Sequence, residues 1–587
     1  MGPNSMRLRM FCVTFFIAFP VVMMITLMHR NSSFGIFEEF SKGKVQGGGG
    51  TTQKHNVTAV LFTGGSNVQT NHFGMVGNVQ NTTHENHGRK EENNDPVKNQ
   101  RNASLSSTNN SSVHTVNHDD KDKLLGGLIA PGFDEASCIS KVQSHIYRKT
   151  SPQKPSPYLI SKLRGYEKIH RMCGPKSKAY NRHMIRILHS KNNSATTMCK
   201  YLIWTPANGL GNQMISLAAT FLYAILTDRV LLVRFGKDIH GLFCEPFVNS
   251  TWILPKKSPF WNDEHIETYQ KMLEIDMTKN SKEGLPSALF INLQYTPRGP
   301  EKFFHCDHNQ ELLNKIPLLI LLSDQYFVPS LFMTPLFNME ITKMFPEKDT
   351  IFHHLGRYLF NPSNEAWRII SKFYDTYLAK ANEITGLQIR VFKPHSTPHQ
   401  AIMNLVLNCT LTHKLLPEIA LKNPVSSTGK NHPINSVLVA SLYPEYGDTL
   451  RTMYLKKPTV TGEVIKVYQA SHEEHQKFYD NKHNMKAWVD MYLLSLSDKL
   501  VTTSQSTFGY VANGLGHLRP WLLYRLVKNG THFPSCVRDV SMEPCFHNPP
   551  KHFCNGKPIE NHISSFLYLR ECQDVPWGVQ IVNNGSI

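Results

Sequence analysis

The sequence predicts an α/β protein: two doubly wound domains in tandem with a cleft between them, carried on an N-terminal membrane anchor and a disordered stem. Three observations lead there. Residues 199–233 read as strand, glycine-bearing turn, helix and strand. Residues 386–524 alternate short apolar runs with segments of helical periodicity, the pattern of a parallel sheet covered by helices. Residues 10–28 carry no charge and are just long enough to cross a bilayer as a helix.

Residues 1–9 form a short basic tail with Arg7 and Arg9, and His29 and Arg30 follow the apolar run. The basic tail favours a cytosolic N-terminus, and no small-residue cleavage pattern follows. Residues 10–28 therefore read as an uncleaved type II signal-anchor. Residues 29–130 are rich in Asn, Gly, Ser, Thr and His, a composition that cannot bury enough surface to offset its ordering entropy. They read as a spacer. The chain holds 11 cysteines. Setting Cys12 aside leaves an even number, without any C-x-x-C, as disulfides in an oxidising lumen require. Sequons such as those at Asn56, Asn81 and Asn102 agree with that compartment.

The first domain is expected over residues 131–385. Tyr201 to Trp204 make a buried strand, and Met214, Leu217, Ala218, Phe221, Leu222 and Ile225 recur at helical spacing. Asp228 and Arg229 are read as closing that helix before a second strand, Val230 to Val233. The turn Asn208-Gly209-Leu210-Gly211-Asn212 lies where a strand ends and a helix begins, so its amides can meet an anion or a sugar oxygen. It is neither G-x-G-x-x-G nor a phosphate loop. Leu318 to Leu322 form an apolar strand leading into Asp324, placed where open α/β sheets bind ligands. Residues 365–380 form an amphipathic helix with Trp367, Ile370, Tyr374, Tyr377 and Leu378 on one face.

The second domain is expected over residues 386–530. In residues 387–392, Leu387, Ile389 and Val391 alternate with Gln388, Arg390 and Phe392. A guanidinium in such a strand must be neutralised by a carboxylate or by a ligand anion. Its planar fork suits a pyrophosphate. Ser504-Gln505-Ser506-Thr507-Phe508-Gly509 follows the strand Lys499 to Thr503 and opens a helix, which makes either a phosphate cradle or an ordinary N-cap. Residues 531–587, with Cys536, Cys545, Cys554 and Cys572, read as a cysteine-rich segment packing back on the N-terminal half.

Net charge is +18, from 63 basic and 45 acidic residues, yet no run of five like charges occurs. With no helix-turn-helix, zinc-finger or RNA-binding signature, nucleic-acid binding is excluded from the expected functions. The 29 histidines are scattered, no ligand spacing for a metal stands out, and His353 and His354, being adjacent, point apart.

The turn at 208–212, the segments Leu242-Phe243-Cys244-Glu245-Pro246-Phe247 and Ser323-Asp324-Gln325-Tyr326-Phe327, and the run from Ser506 through Gly509 to Gly516 together resemble the plant fucosyltransferases of the xyloglucan type. The resemblance runs from about Tyr201 to the C-terminus. It implies a GT-B-like fold of two Rossmann-like domains and a type II Golgi enzyme with a luminal catalytic domain. It implies inverting transfer of fucose from GDP-fucose to a galactose, in α-1,2 linkage, with no metal and no other cofactor. Arg390 then corresponds to the pyrophosphate arginine. Ser506, Thr507, Phe508 and Gly509 belong to the nucleotide loop, and Gly209, Gly211 and Asn212 to the opposite loop. Asp324 and Asp574 correspond to acids near the acceptor, Asp324 being the expected base. Gln213 stands where many members carry Arg. The acceptor is a galactose-bearing oligo- or polysaccharide, with xyloglucan, arabinogalactan-protein glycans and a non-catalytic glycan-binding role left open. The partners implied are the Golgi membrane, and a second copy or other glycosyltransferases.

Overall fold

The computed structural model describes residues 124–190, 198–262, 266–277, 284–294, 299–420, 432–526, 534–559 and 563–583. The expected tail, the anchor at 10–28 and nearly all of the stem lie outside the described residues. Among the described residues no helix is long and apolar enough to cross a membrane. Leu128, Ile129 and Ala130 are already buried, so the folded part begins before the stem's expected end at residue 130.

Two parallel sheets organise the molecule. The first has five strands: β1 (Lys200–Thr205), β2 (Arg229–Val233), β3 (Glu267–Thr268), β4 (Ala288–Asn292) and β5 (Leu318–Leu322), in the order β2-β1-β5-β4-β3. Every pair is parallel, and Trp204 lies level with Val233 on one side and Leu321 on the other. The apolar runs of β1, β2 and β5 are buried almost throughout, as a sheet covered on both faces demands. The second sheet contains β6 (Glu383–Ile389), β7 (Ile434–Ser441), β8 (Val464–Gln469), β9 (Lys499–Thr503), β10 (Trp521–Leu523) and β11 (Cys536–Arg538), in the order β11-β10-β9-β6-β7-β8. Only β11 runs antiparallel. A short antiparallel pair, β12 (Leu569–Glu571) and β13 (Val579–Ile581), follows.

Two readings of single elements change. Arg229 does not close the preceding helix. It enters β2 fully buried and donates to the carbonyls of Leu313 at 2.6 Å and Ile316 at 2.8 Å, where the helix Asp307–Lys315 ends and its last carbonyls need donors. The helix expected over 365–380 is regular only over Asn364–Phe373 and continues as a π-helical turn, Tyr374–Leu378. The wider turn rotates Tyr377 into solvent, 44 % exposed.

Four helices position the cleft: α1 (Leu210–Leu226), α2 (Ile351–Leu359), α3 (Asn481–Leu494) and α4 (Thr507–Gly516). The first two come from the N-terminal half and the last two from the C-terminal half. One hydrophobic cluster runs through both, joining Leu217, Phe221, Phe352 and Leu355 with Trp488, Val511 and Leu515. Helices α2 and α4 cross closely at a glycine on each. A Cβ on Gly514 would sit 2.2 Å from the Phe352 ring, and one on Gly356 would sit 3.1 Å from Leu515. The described residues accordingly fall in one compact unit.

All ten cysteines beyond Cys12 are paired: Cys138–Cys244, Cys173–Cys199, Cys306–Cys554, Cys409–Cys536 and Cys545–Cys572. Cys536 fastens the final segment to the C-terminal half and Cys554 fastens it to the N-terminal half.

Candidate active site

The same local device occurs at the C-terminal end of a strand in each half. After β1 comes Asn208 in the left-handed region, φ 61°, and Gly209 as N-cap of α1. After β9 comes Gln505, φ 62°, and Ser506 as N-cap of α4. Each reversal aims a helix N-terminus, with its free amides and partial positive charge, at the same space. The two termini touch. The Thr507 hydroxyl donates to Asn212 Oδ1 at 2.9 Å, and Asn212 Nδ2 donates to the Asp324 carbonyl at 3.3 Å. A Cβ on Gly211 would lie 2.8 Å from the Phe508 amide nitrogen. Glycine is there so that the helices can meet.

Between them lies a cavity of about 350 Å³. Arg390, Ser506, Thr507, Phe508, Gly209 and Asn212 all line it. Gly509 does not. A Cβ at that position would meet Thr502 at 2.8 Å, so this glycine lets α4 pack on β9. The Ser506 side chain caps nothing in its own helix, leaving both the hydroxyl and the helix amides open toward the cavity. The ordinary N-cap reading therefore fails for this residue.

Arg390 sits one residue beyond β6, with its backbone N–H on the Thr503 hydroxyl at 2.9 Å. Among the described residues no carboxylate pairs with it. Its guanidinium donates to Gln476 Oε1 at 2.5 Å, and burial lowers its pKa, against Tyr443, which raises it. Phe392 and Arg525 stand beside it, the Arg525 guanidinium 3.6 Å from the Phe392 ring centre. A second, larger cavity of about 1010 Å³ begins there and shares Arg390, Phe392 and Gln505 with the first.

The two acids occupy different positions. Asp324 is 7 % exposed, and both of its carboxylate oxygens are engaged, by Asn208 Nδ2 and, at 2.8 Å, by Gln325 Nε2. It fixes the Asn208 turn. Asp574 accepts from the Gln505 backbone N–H at 2.7 Å and from the Tyr510 hydroxyl at 2.7 Å. It fixes the other turn and lines the larger cavity.

Several residues of the site carried no sequence signal. His547 lines the smaller cavity, 3.1 Å from the Tyr510 hydroxyl. Gln476 reaches Arg390 from the loop after β8, which also carries Glu474 and Tyr479 with positive φ. Asp490, in α3, accepts from the Ser471 hydroxyl at 2.6 Å. Burial pushes its pKa up to about 7, with the Ser471 bond and Lys486 opposing. On the same wall Lys486 and Lys477 hold the Glu473 carboxyl down to about 2.

Two parallel sheets whose C-terminal edges meet over an arginine and two helix N-termini give a cleft of the glycosyltransferase class. A family model described as xyloglucan fucosyltransferase matches residues 98–555. The chain is 46% identical over 473 residues to a galactoside 2-alpha-L-fucosyltransferase of Arabidopsis thaliana, covering 80% of this chain and 84% of the relative. It is 44% identical over 491 residues to the protein of the same description from Pisum sativum, covering 83% and 86%. The structure of a substituted form of Arabidopsis thaliana FUT1, in complex with GDP, superposes with a TM-score of 0.72 at 45% identity, over 78% of this chain and 100% of that one. The chain belongs to the xyloglucan fucosyltransferase family.

Proposed function

We propose that this chain is an inverting fucosyltransferase, moving fucose from GDP-fucose to the 2-hydroxyl of a galactose on xyloglucan side chains, on a variant of the GT-B fold. The observation that carries the proposal is the meeting of Arg390, without a carboxylate partner among the described residues, with the open N-terminus of α4 at Ser506 and Thr507. That pair suits a diphosphate, whose negative charge grows as the bond to the sugar breaks. The buried Asp490 in the same cavity suits the N–H edge of a purine. Transfer in this reading uses no metal ion. Charge on the departing diphosphate is met by the guanidinium and the helix amides.

The anomeric carbon then passes from β in the donor to α in the product. Asp324 and Asp574 act in this reading by holding the two turns to which the donor is bound. We further propose that residues 10–28 anchor the chain in the Golgi membrane with the catalytic part luminal, which ten paired cysteines and the sequons support.

Labelled GDP-fucose supplied with galactosylated xyloglucan oligosaccharides tests the activity. The expected product is an α-1,2-fucosyl galactoside, from which a linkage-specific fucosidase releases the labelled fucose. Transfer only to arabinogalactan oligosaccharides would reassign the acceptor. No transfer to any galactoside, with GDP still bound, would reduce the chain to a binding protein. Protease protection of a tagged C-terminus in intact Golgi vesicles tests the topology.

A further inference from the structure

We propose that His547 takes the proton from the acceptor hydroxyl, with Tyr510 and Asp574 as the positioning residues that fix its tautomer. The proposal rests on the transfer reaction of the preceding section and adds the base which that reaction needs.

The assignment follows from counting protons. Asp574 Oδ2 accepts two hydrogen bonds, from the Gln505 backbone N–H and from the Tyr510 hydroxyl, each at 2.7 Å. Tyrosine has one hydroxyl proton, and a carboxylate has none to give. The Tyr510 proton is thereby committed to Asp574, and burial beside that carboxylate raises the Tyr510 pKa well above its usual value, which keeps the proton in place. At the same oxygen, His547 Nε2 lies 3.1 Å away. That contact is a hydrogen bond only if Nε2 carries the hydrogen. The neutral ring then holds its lone pair at Nδ1, for which the described residues supply no hydrogen-bond partner. His547 lines the cavity that Arg390 and Ser506 line.

The other acids of the cleft already hold hydrogen bonds or ion pairs. Asp324 is bonded at both oxygens, Asp490 holds the Ser471 hydroxyl, and Glu473 is paired with Lys477 and Lys486. The charged groups facing His547 come from three sides. Asp574 and Asp324 favour the imidazolium, Arg525 disfavours it, and burial outweighs the acids, so the ring's pKa falls below its ordinary value. Burial thus favours the neutral ring, the form able to accept a proton.

In the step itself the acceptor oxygen forms a bond to the fucose anomeric carbon while that carbon's bond to the diphosphate oxygen breaks. The electron pair leaves with GDP, held by Arg390. The hydroxyl proton passes to His547 Nδ1 and from there to solvent. The bonds from Asp574 through Tyr510 to His547 also give Asp574 a positioning task in the step.

The test uses the purified luminal chain with GDP-fucose and a galactosylated xyloglucan oligosaccharide. His547→Ala is expected to lower kcat by about 10²–10³, the range a positioned base supplies, while GDP affinity by calorimetry stays within threefold. It should also lose the acid limb of the wild-type kcat profile, and added imidazole should restore part of the rate. Tyr510→Phe removes only the oxygen that fixes the tautomer. It is expected to lower kcat about tenfold with KM for the donor unchanged. Should His547→Ala or His547→Gln keep wild-type kcat and its pH profile, the proposal is overturned. A wild-type chain that binds GDP but transfers to no galactoside overturns the fucosyltransferase reading instead, and this inference with it.

Discussion

Arg390 is the residue whose surroundings most constrain what the cleft can bind. Holding a guanidinium half-buried without a carboxylate is costly, and Gln476, a neutral amide, satisfies only part of it. A diphosphate would complete its hydrogen bonds. Arg390→Ala should therefore lower kcat/KM for GDP-fucose by about 10³ or more, with the thermal midpoint unchanged or raised, since an unpaired buried charge is removed. Arg390→Lys should recover little of the rate, because an ammonium cannot form the two parallel bonds of the fork. Activity within tenfold of wild type for Arg390→Ala would remove the diphosphate from this position. Arg390 was legible in the sequence because it broke a run of core residues. His547 was not: it is one of 29 histidines, lies outside any helix or strand, and owes its place to Tyr510 and to the chain around the Cys545–Cys572 bridge.

At the scale of elements, the cleft depends on two helices meeting end to end, and the two glycines of the first turn differ in what they permit. At Gly211 an added methyl would press on the Thr507 carbonyl carbon and the Phe508 nitrogen, both at 2.8 Å. These are backbone atoms, so α4 itself would have to move. At Gly209 the nearest atom is the end of the Gln476 side chain at 3.1 Å, which can swing aside. Gly211→Ala is expected to weaken GDP binding at least tenfold and to cost about 1–3 kcal/mol of stability, as overpacking does. Gly209→Ala should bind GDP within threefold of wild type. Calorimetric titration of both variants checks the contrast, and equal behaviour would mean the helix contact does not shape the site. The strands and helices of both sheets could be read from apolar runs and helical spacing because each is a local pattern. The contact between α1 and α4 could not. It joins residues 295 apart, Asn212 and Thr507, and a glycine that permits a close approach looks in sequence like any glycine in a turn.

Across the whole molecule, the final segment clamps both halves. Cys306–Cys554 closes a loop of 248 residues, and removing a bridge over so long a loop is expected to cost about 2–5 kcal/mol. Cys306→Ser with Cys554→Ser should therefore unfold at lower denaturant than the parent while the other four bridges remain. The same clamp carries a charge that titrates. Glu543, fully buried, accepts from the Phe352 backbone N–H at 2.8 Å and from the Tyr326 hydroxyl. Burial pushes its pKa up to about 8, with Asp349 adding to the rise and the hydrogen bonds opposing it. In the unfolded chain a glutamate titrates near 4.3. Between those values the folded state holds a proton that the unfolded state has released. Stability from this group is thus complete below the unfolded pKa and is lost as pH rises through the folded one, by up to about 1.4 kcal/mol per pH unit. Asp490 and Asp539, each raised to about 7, act in the same direction. Lys141, lowered to about 7, opposes them above that pH, and the buried His354, lowered to about 3, opposes them below 6.5. Absolute stability therefore mixes several terms, and the difference between wild type and Glu543→Gln isolates one. The amide keeps an acceptor for Phe352 and cannot ionise. From pH 5.5 to 7.5, wild type should lose about 2 kcal/mol relative to Glu543→Gln in urea unfolding. A difference that stays flat over that range would show that Glu543 is already ionised in the folded protein, and that its contact with Tyr326 is a charged one.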